Sequence, residues 1–206
     1  MRVAVLGTGT VGKTLAAKLR DVGEDVKVGS RSAENPDADG TFADAAEFGE
    51  VVINATAGTA SLEALAAAGA ENLSGKVLID VANPLDASQG FPPTLSVSNT
   101  DSLAEQIQRE YPDARVVKAL NTMNVDVMVR PGLVSGDHNA FIAGDDEDAK
   151  QTVRELLESF GWPTDRVIDL GGIDAARGME MYLPLWLRLF QAAGTGHINI
   201  AVMRAR

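Results

Sequence analysis

Short, wholly apolar runs alternate along this chain with segments whose apolar residues recur at three and four. The runs at residues 3–6, 25–28, 50–54, 76–81, 115–119, 139–143 and 167–170 read as strands. The segments at 13–22, 60–70, 101–110 and 145–160 read as helices; in the first, Leu15, Leu19 and Val22 share a face. In the last, Val153, Leu156, Leu157 and Phe160 form one stripe, and Asp145-Asp146-Glu147-Asp148 complements the helix dipole. Strands apolar on both faces, alternating with helices, predict a parallel sheet covered on both sides.

The expected fold is therefore α/β, a Rossmann-type doubly wound parallel sheet with a small C-terminal helical extension. We divide the chain into an α/β sheet domain at 1–170 and a C-terminal helical segment and tail at 171–206, with Gly171-Gly172 as the hinge. Residues 174–193 have a helical pattern, and 198–202 read as a short closing strand or an extended tail. The 81–100 loop is long, carries Pro84, Pro92 and Pro93, and is of a length that often serves function.

Composition narrows the chemistry. The 206 residues carry a net charge of −11, which repels phosphate backbones and anionic lipids and predicts no nucleic-acid and no membrane partner. There is no cysteine, so disulfides, thiolate catalysis and cysteine metal sites are excluded, and two histidines, His138 and His197, make a metal site an unsupported expectation. The apolar start is too short for a signal peptide core, and the 179–190 stretch is interrupted by Glu180, Pro184 and Arg188; the expectation is a cytoplasmic protein.

The first strand runs into Gly7-Thr8-Gly9-Thr10-Val11-Gly12, a G-x-G-x-x-G sequence opening an amphipathic helix. Gly7 permits the tight turn, Gly9 admits a pyrophosphate, and Gly12 lets the helix pack on the strand. The alternative is a structural turn without a ligand. At the end of the second strand, where NAD sites place an acid, stands Ser30-Arg31-Ser32. A guanidinium flanked by hydroxyls suits a 2′-phosphate, which points to NADP(H) over NAD.

Ligands in such folds lie beyond the carboxyl ends of the strands. Three further turns end strands there: one holding Thr56 and Ala57, one holding Asn83 and Pro84, and one holding Ala119 and Asn121. Small residues in the first leave room for the adenosine half; amides in the others can hold a carboxamide. The acid–base inventory is poor. No Tyr-x-x-x-Lys pair occurs, Lys118 and Asn121 stand at a strand end rather than in a helix, and no catalytic residue is assigned. Hydride exchange between two redox cofactors needs alignment more than a proton donor, and fits such a site.

Residues 1–9 (Met-Arg-Val-Ala-Val-Leu-Gly-Thr-Gly), 28–31 (Val-Gly-Ser-Arg), 116–122 (Val-Val-Lys-Ala-Leu-Asn-Thr), 143–150 (Ala-Gly-Asp-Asp-Glu-Asp-Ala-Lys) and 196–200 (Gly-His-Ile-Asn-Ile) together resemble the F420-dependent NADP oxidoreductase family. The resemblance spans nearly the whole chain. It implies an enzyme, typically a homodimer, that passes a hydride between NADPH and the deazaflavin F420. It also implies residue roles: Thr8 to Gly12 on the pyrophosphate, Ser30 and Arg31 on the 2′-phosphate, Asn83 and Ala119 by the nicotinamide, and the turn with His197 and Ile198 facing the deazaflavin. Asn35 stands where the family can place a second basic residue, and Asn121 where some members have His. The reductase domain of mammalian metalloreductases uses a similar fold to reduce flavin, so FAD or FMN is an alternative acceptor. A non-catalytic NADP(H) sensor and a reductase of an organic substrate, with Tyr182 or His197 as donor, are the other readings. The segment with Met179, Tyr182, Leu185, Trp186 and Phe190 reads as a helix kinked at Pro184, either core-facing or a dimer face and acceptor wall.

Overall fold

The computed structural model describes residues 1–205. In chain order, β1 (Arg2–Leu6) enters α1 (Thr10–Asp21), then β2 (Asp25–Ser30), the two-residue β3 (Gly40–Thr41), α2 (Phe42–Phe48) and β4 (Val51–Asn54). Next come α3 (Ser61–Ala68), α4 (Ala70–Leu73), β5 (Val77–Asp80), β6 (Leu85–Asp86), β7 (Thr94–Leu95), α5 (Leu103–Glu110) and β8 (Arg115–Ala119). The chain continues through α6 (Val125–Val129), β9 (Ala140–Ala143), α7 (Glu147–Phe160), β10 (Val167–Asp169), α8 (Ala176–Met181) and α9 (Leu183–Ala193).

The main sheet has the order β10-β9-β8-β5-β4-β1-β2-β3. β1 pairs in parallel with both β2 and β4, so the strand order reverses at β1 and opens a crevice at the carboxyl ends of β1 and β4. Period-two alternation divides each strand between two cores. Val3 and Val5 pack with Leu15, Leu19, Val153 and Leu156 under α1 and α7. Ala4 and Leu6 pack with Phe42, Leu65 and Ile107 under α2, α3 and α5. Truncating a fully buried leucine of either set, such as Leu15 or Leu65, costs about 2–5 kcal/mol.

The sheet departs from the expected all-parallel arrangement at one place. β9 runs antiparallel to β8, and β10 follows β9 in parallel. A parallel crossover needs a dozen or more residues, usually as a helix. Between β8 and β9, residues 120–139 form the five-residue α6, which packs against α1, and a 3₁₀ turn at Pro131–Leu133 rather than a crossover helix, and the chain re-enters the sheet in the opposite sense.

Two helices lie where the hydrophobic pattern predicted none, α2 and α6. α2 starts with a reciprocal capping box in which Thr41 and Asp44 bond each other's backbone; α6 starts on Asn124, whose side chain accepts from Asp126 N. α1 begins at Thr10, inside the glycine motif, three residues before the expected start at Lys13. The predicted 60–70 helix is two helices, α3 and α4, parted by Gly69 at φ +89°. The long 81–100 loop contains the small antiparallel hairpin β6–β7. The 198–202 segment is an extended tail, held where Asn139 N donates to Ile200 O and Val202 N to Asn139 Oδ1. No helix among the described residues is long and apolar enough to cross a membrane.

Candidate functional site

The glycine loop is forced by packing. Gly7 has φ +124°, a conformation costly for any side chain, and its N–H donates to Gly29 O at 3.0 Å, tying the ends of β1 and β2. A Cβ there would stand 2.6 Å from Ala55 O, and one at Gly12 would stand 1.9 Å from Gly7 O. Gly9 is different: a Cβ there meets nothing within 4 Å. Gly9 caps α1 without a side chain, and the first turn of α1 holds no acid, so its free N–H groups and positive dipole end face open space. This arrangement fits a phosphate group.

Two clefts adjoin the loop. The first, about 240 Å³, is lined by Gly7, Thr8, Gly9, Arg31, Thr56, Ala57 and Glu63, with Phe42, Ala60 and Ala64 completing its apolar part. Arg31 is exposed and makes no hydrogen bond or ion pair among the described residues. Ser30 is buried, and its hydroxyl donates to Ser32 O at 2.5 Å, shaping the turn that carries Arg31. Asn35 Nδ2 donates to Thr8 Oγ1 at 3.1 Å, so it braces the glycine loop.

The second cleft, about 480 Å³, shares Ala55, Thr56 and Ala57 with the first. Thr10, Val11, Asn83, Asn121 and Met123 line it on the sheet side, and Leu183 and Trp186 close it from α9. Gly58 lets the two rim turns touch, since a Cβ there would lie 2.0 Å from Asn83 O. Asn83 and Asn121 bond each other reciprocally: Asn83 Nδ2 donates to Asn121 O (2.8 Å), and Asn121 Nδ2 to Asn83 Oδ1 (2.9 Å). The Asn121 side-chain oxygen and the Trp186 indole N–H are left without a protein partner. Leu120, just before, sits at φ +63°, a strained position of the kind that clusters at working sites.

The remaining predicted residues are not brought into these clefts. Ala119 is fully buried, with its side chain in the core. Pro84 turns its carbonyl to Ser96. Ser32 is exposed beside Arg31. His197 is exposed, and its Nε2 lies 3.1 Å from Asp126 Oδ2, beyond Asn124 and Val125 of the second cleft. Ile198 follows it, half-buried in the tail.

Sequence reasoning missed a charged cluster under the rim. Lys118, Asp80 and Glu180 are all essentially inaccessible. Lys118 Nζ donates to Asp80 Oδ2 (2.8 Å), Ala82 O (2.5 Å) and Glu180 Oε1 (2.8 Å). Burial pulls the Lys118 pKa down, but the two carboxylates outweigh it and hold the pKa above the usual lysine value. Burial raises Glu180. The signal was present: a lysine and an aspartate inside two otherwise apolar strand runs. With all its protons directed at protein acceptors, Lys118 is no proton donor to a ligand.

Comparison with known proteins agrees with this geometry. Residues 2–84 match the family described as NADP oxidoreductase, coenzyme F420-dependent. The F420-dependent NADP reductase of Methanothermobacter marburgensis is 33% identical over 212 residues, covering 92% of each chain. A solved structure of a candidate F420-dependent NADP-reductase from Arthrobacter sp. FB24 is 51% identical with a TM-score of 0.94, covering 99% of this chain and 100% of that one. The metalloreductase STEAP3 of Rattus norvegicus is 29% identical over 195 residues; 90% of this chain is covered, but the match spans only 38% of that protein. On the full-length match to the archaeal reductase, and with a glycine loop and fold of the required form, the chain belongs to the F420-dependent NADP oxidoreductase family.

Proposed function

We propose that this chain passes a hydride between NADPH and a deazaflavin of the F420 type. The observation that carries the reading is Arg31: a guanidinium without a protein partner, in a chain of net charge −11, beside an uncapped helix N-terminus. A bidentate cation there suits a 2′-phosphate, and it stands at the end of β2, where NAD sites place an acid; the acid that lines this cleft, Glu63, comes from α3. In this reading Thr8 to Gly12 hold the pyrophosphate, Thr56 and Ala57 leave room for the adenosine side, and Asn83 and Asn121 offer amides to the nicotinamide. Leu183 and Trp186 wall the space for the flat ring of the acceptor. When bound, NADPH supplies the hydride, the deazaflavin ring accepts it, and the reduced ring takes a proton from water. The chain's part is to align the two rings and exclude water from between them.

We also propose a homodimer built on the outer face of α9, a cytoplasmic setting shared with the NADPH pool, and a division of labour between residues 1–170 and 171–206. Anaerobic mixing with NADPH and oxidised F420, with FAD and FMN in parallel, tests the reading. Catalytic bleaching of F420 alone supports it. Bleaching only of flavin moves the acceptor to that class, and tight NADPH binding with no turnover leaves a sensor.

A further inference from the structure

Lys118 holds two separate pieces of chain at three points. Asp80 ends β5, Ala82 begins the turn that carries Asn83, and Glu180 lies on α8, six residues before Trp186. Both carboxylates are anchored again. Asp80 Oδ1 accepts from Asn54 Nδ2 (2.8 Å) and from Ala82 N (3.2 Å). Asn54 Oδ1 in turn accepts from the Thr56 hydroxyl (2.6 Å) and backbone (3.3 Å). Thr56 lines both clefts. Glu180 accepts from Leu103 N (2.9 Å) and Ala104 N (3.2 Å) at the start of α5. One buried ammonium is thus wired to the sheet-side rim through Asp80, Asn54 and Ala82, and to the α9 wall through Glu180.

A buried ion pair is poor value as a source of stability, because desolvation of each ion offsets the attraction, and apolar replacements are often neutral. Three N–H donors aimed at acceptors on two segments, 80–82 and α8, supply geometry instead. We propose that Lys118 is a positioning residue: it fixes the 54–57 and 81–84 turns against the α8–α9 wall and so sets the gap across which the hydride travels. This rests on the functional reading above, in which the two rims hold donor and acceptor. Hydride transfer requires reacting atoms at about 3–3.5 Å, and a displacement of about 1 Å slows such a step about 100-fold.

The test uses Lys118→Met and Glu180→Gln in the full chain. Lys118→Met strands two buried carboxylates; Glu180→Gln keeps the side chain's shape and one acceptor oxygen, for Leu103 N or Ala104 N, and removes the ionic link without leaving an unpaired charge on α8, so it is the milder variant where the first does not fold. Amide hydrogen exchange of segments 80–84 and 180–187 is expected to rise about tenfold or more, with β1 and α1 unchanged. The NADPH Kd changes far less than the transfer rate, since Arg31 and the glycine loop are untouched, while single-turnover hydride transfer to F420 falls about 100-fold. Unchanged or uniformly raised exchange overturns the proposal, as does local loosening with hydride transfer intact. A wild-type protein that transfers no hydride to F420 overturns the proposed acceptor instead, and the exchange pattern alone then decides whether Lys118 holds the rims.

Discussion

The carbonyl oxygen of Gly7 occupies the space where a side chain at residue 12 would begin, 1.9 Å from an ideal Cβ. That contact separates two glycines of one motif by mechanism. Gly12 is required by the protein itself, whereas nothing in the protein requires Gly9. Gly12→Ala should drive α1 off the β1 turn and cost about 1–3 kcal/mol or more of stability, along with NADPH binding. Gly9→Ala should leave the urea midpoint nearly unchanged and weaken NADPH at least about tenfold, because the new methyl group stands where the pyrophosphate approaches. Denaturation and calorimetric titration of both variants check this. Equal effects on stability would show that the loop's glycines serve folding alone.

The Gly7–Gly12 relationship was legible in the sequence because the motif follows an apolar strand and opens a helix. The same holds for the doubly wound sheet and for the position of Arg31 at the end of β2. What stayed hidden has definite causes. α2 and α6 are too short for a periodic stripe, and only their caps, Thr41 with Asp44 and Asn124, announce them. The reversal of β9 is set by the path of residues 120–139, and no pattern in β8 or β9 encodes it. The Lys118 cluster joins residues up to 100 positions apart (Asp80 to Glu180), and only the folded sheet brings them together. Rim residues such as Thr56, Asn83 and Asn121 were readable because strand ends are readable; His197 was not, because the path of the tail is set by Asn139 and Asp126 rather than by its own sequence.

Arg31→Ala should discriminate between the two nicotinamide dinucleotides. The side chain is exposed and has no protein partner, so removing it leaves the fold intact. A charge-assisted bond to a 2′-phosphate contributes about 1.5–3 kcal/mol, so NADPH should bind about 10- to 100-fold more weakly. NADH, which lacks that phosphate, should change little. Calorimetric titration of both dinucleotides decides it; equal losses would sink the assignment of Arg31 to the phosphate.

A pH effect is expected at the start of α5. Arg109 donates to both carboxylate oxygens of Asp101, at 2.9 and 2.8 Å, and holds its pKa at about 2 against an ordinary 3.8. A lowered folded pKa stabilises the fold above the unfolded value, and this contribution fades as pH falls from 3.8 toward about 2. Arg109→Ala should therefore move the Asp101 titration toward the ordinary value, as followed by carboxyl NMR. The variant's small stability deficit at pH 7 should shrink over the same window. A deficit independent of pH would mean that Arg109 acts by packing rather than charge. The pair is partly solvated, so the effect is modest and weakens with salt.

The last prediction concerns α9 and the end of α8. Met181, Leu185 and Leu189 are spaced by four and form a stripe, with Phe190 beside it; all are exposed, Leu185 by 56%. Trp186 stacks on Phe190 with ring centroids 5.6 Å apart, so the same helix presents one aromatic to the second cleft and another to the outside. An apolar stripe of this kind, continuous with a site wall, suits a second copy of the chain. Leu185→Glu with Leu189→Glu should then reduce the mass measured by light scattering to that of one chain while the circular dichroism stays native. The loss of a supporting partner should also loosen Trp186 and raise the acceptor KM more than the NADPH Kd, since Arg31 and Gly7 to Gly9 line the first cleft, on the far side of the shared Thr56. A wild-type protein that already runs as a single chain would remove the dimer from the mechanism and leave α9 as a wall that works alone.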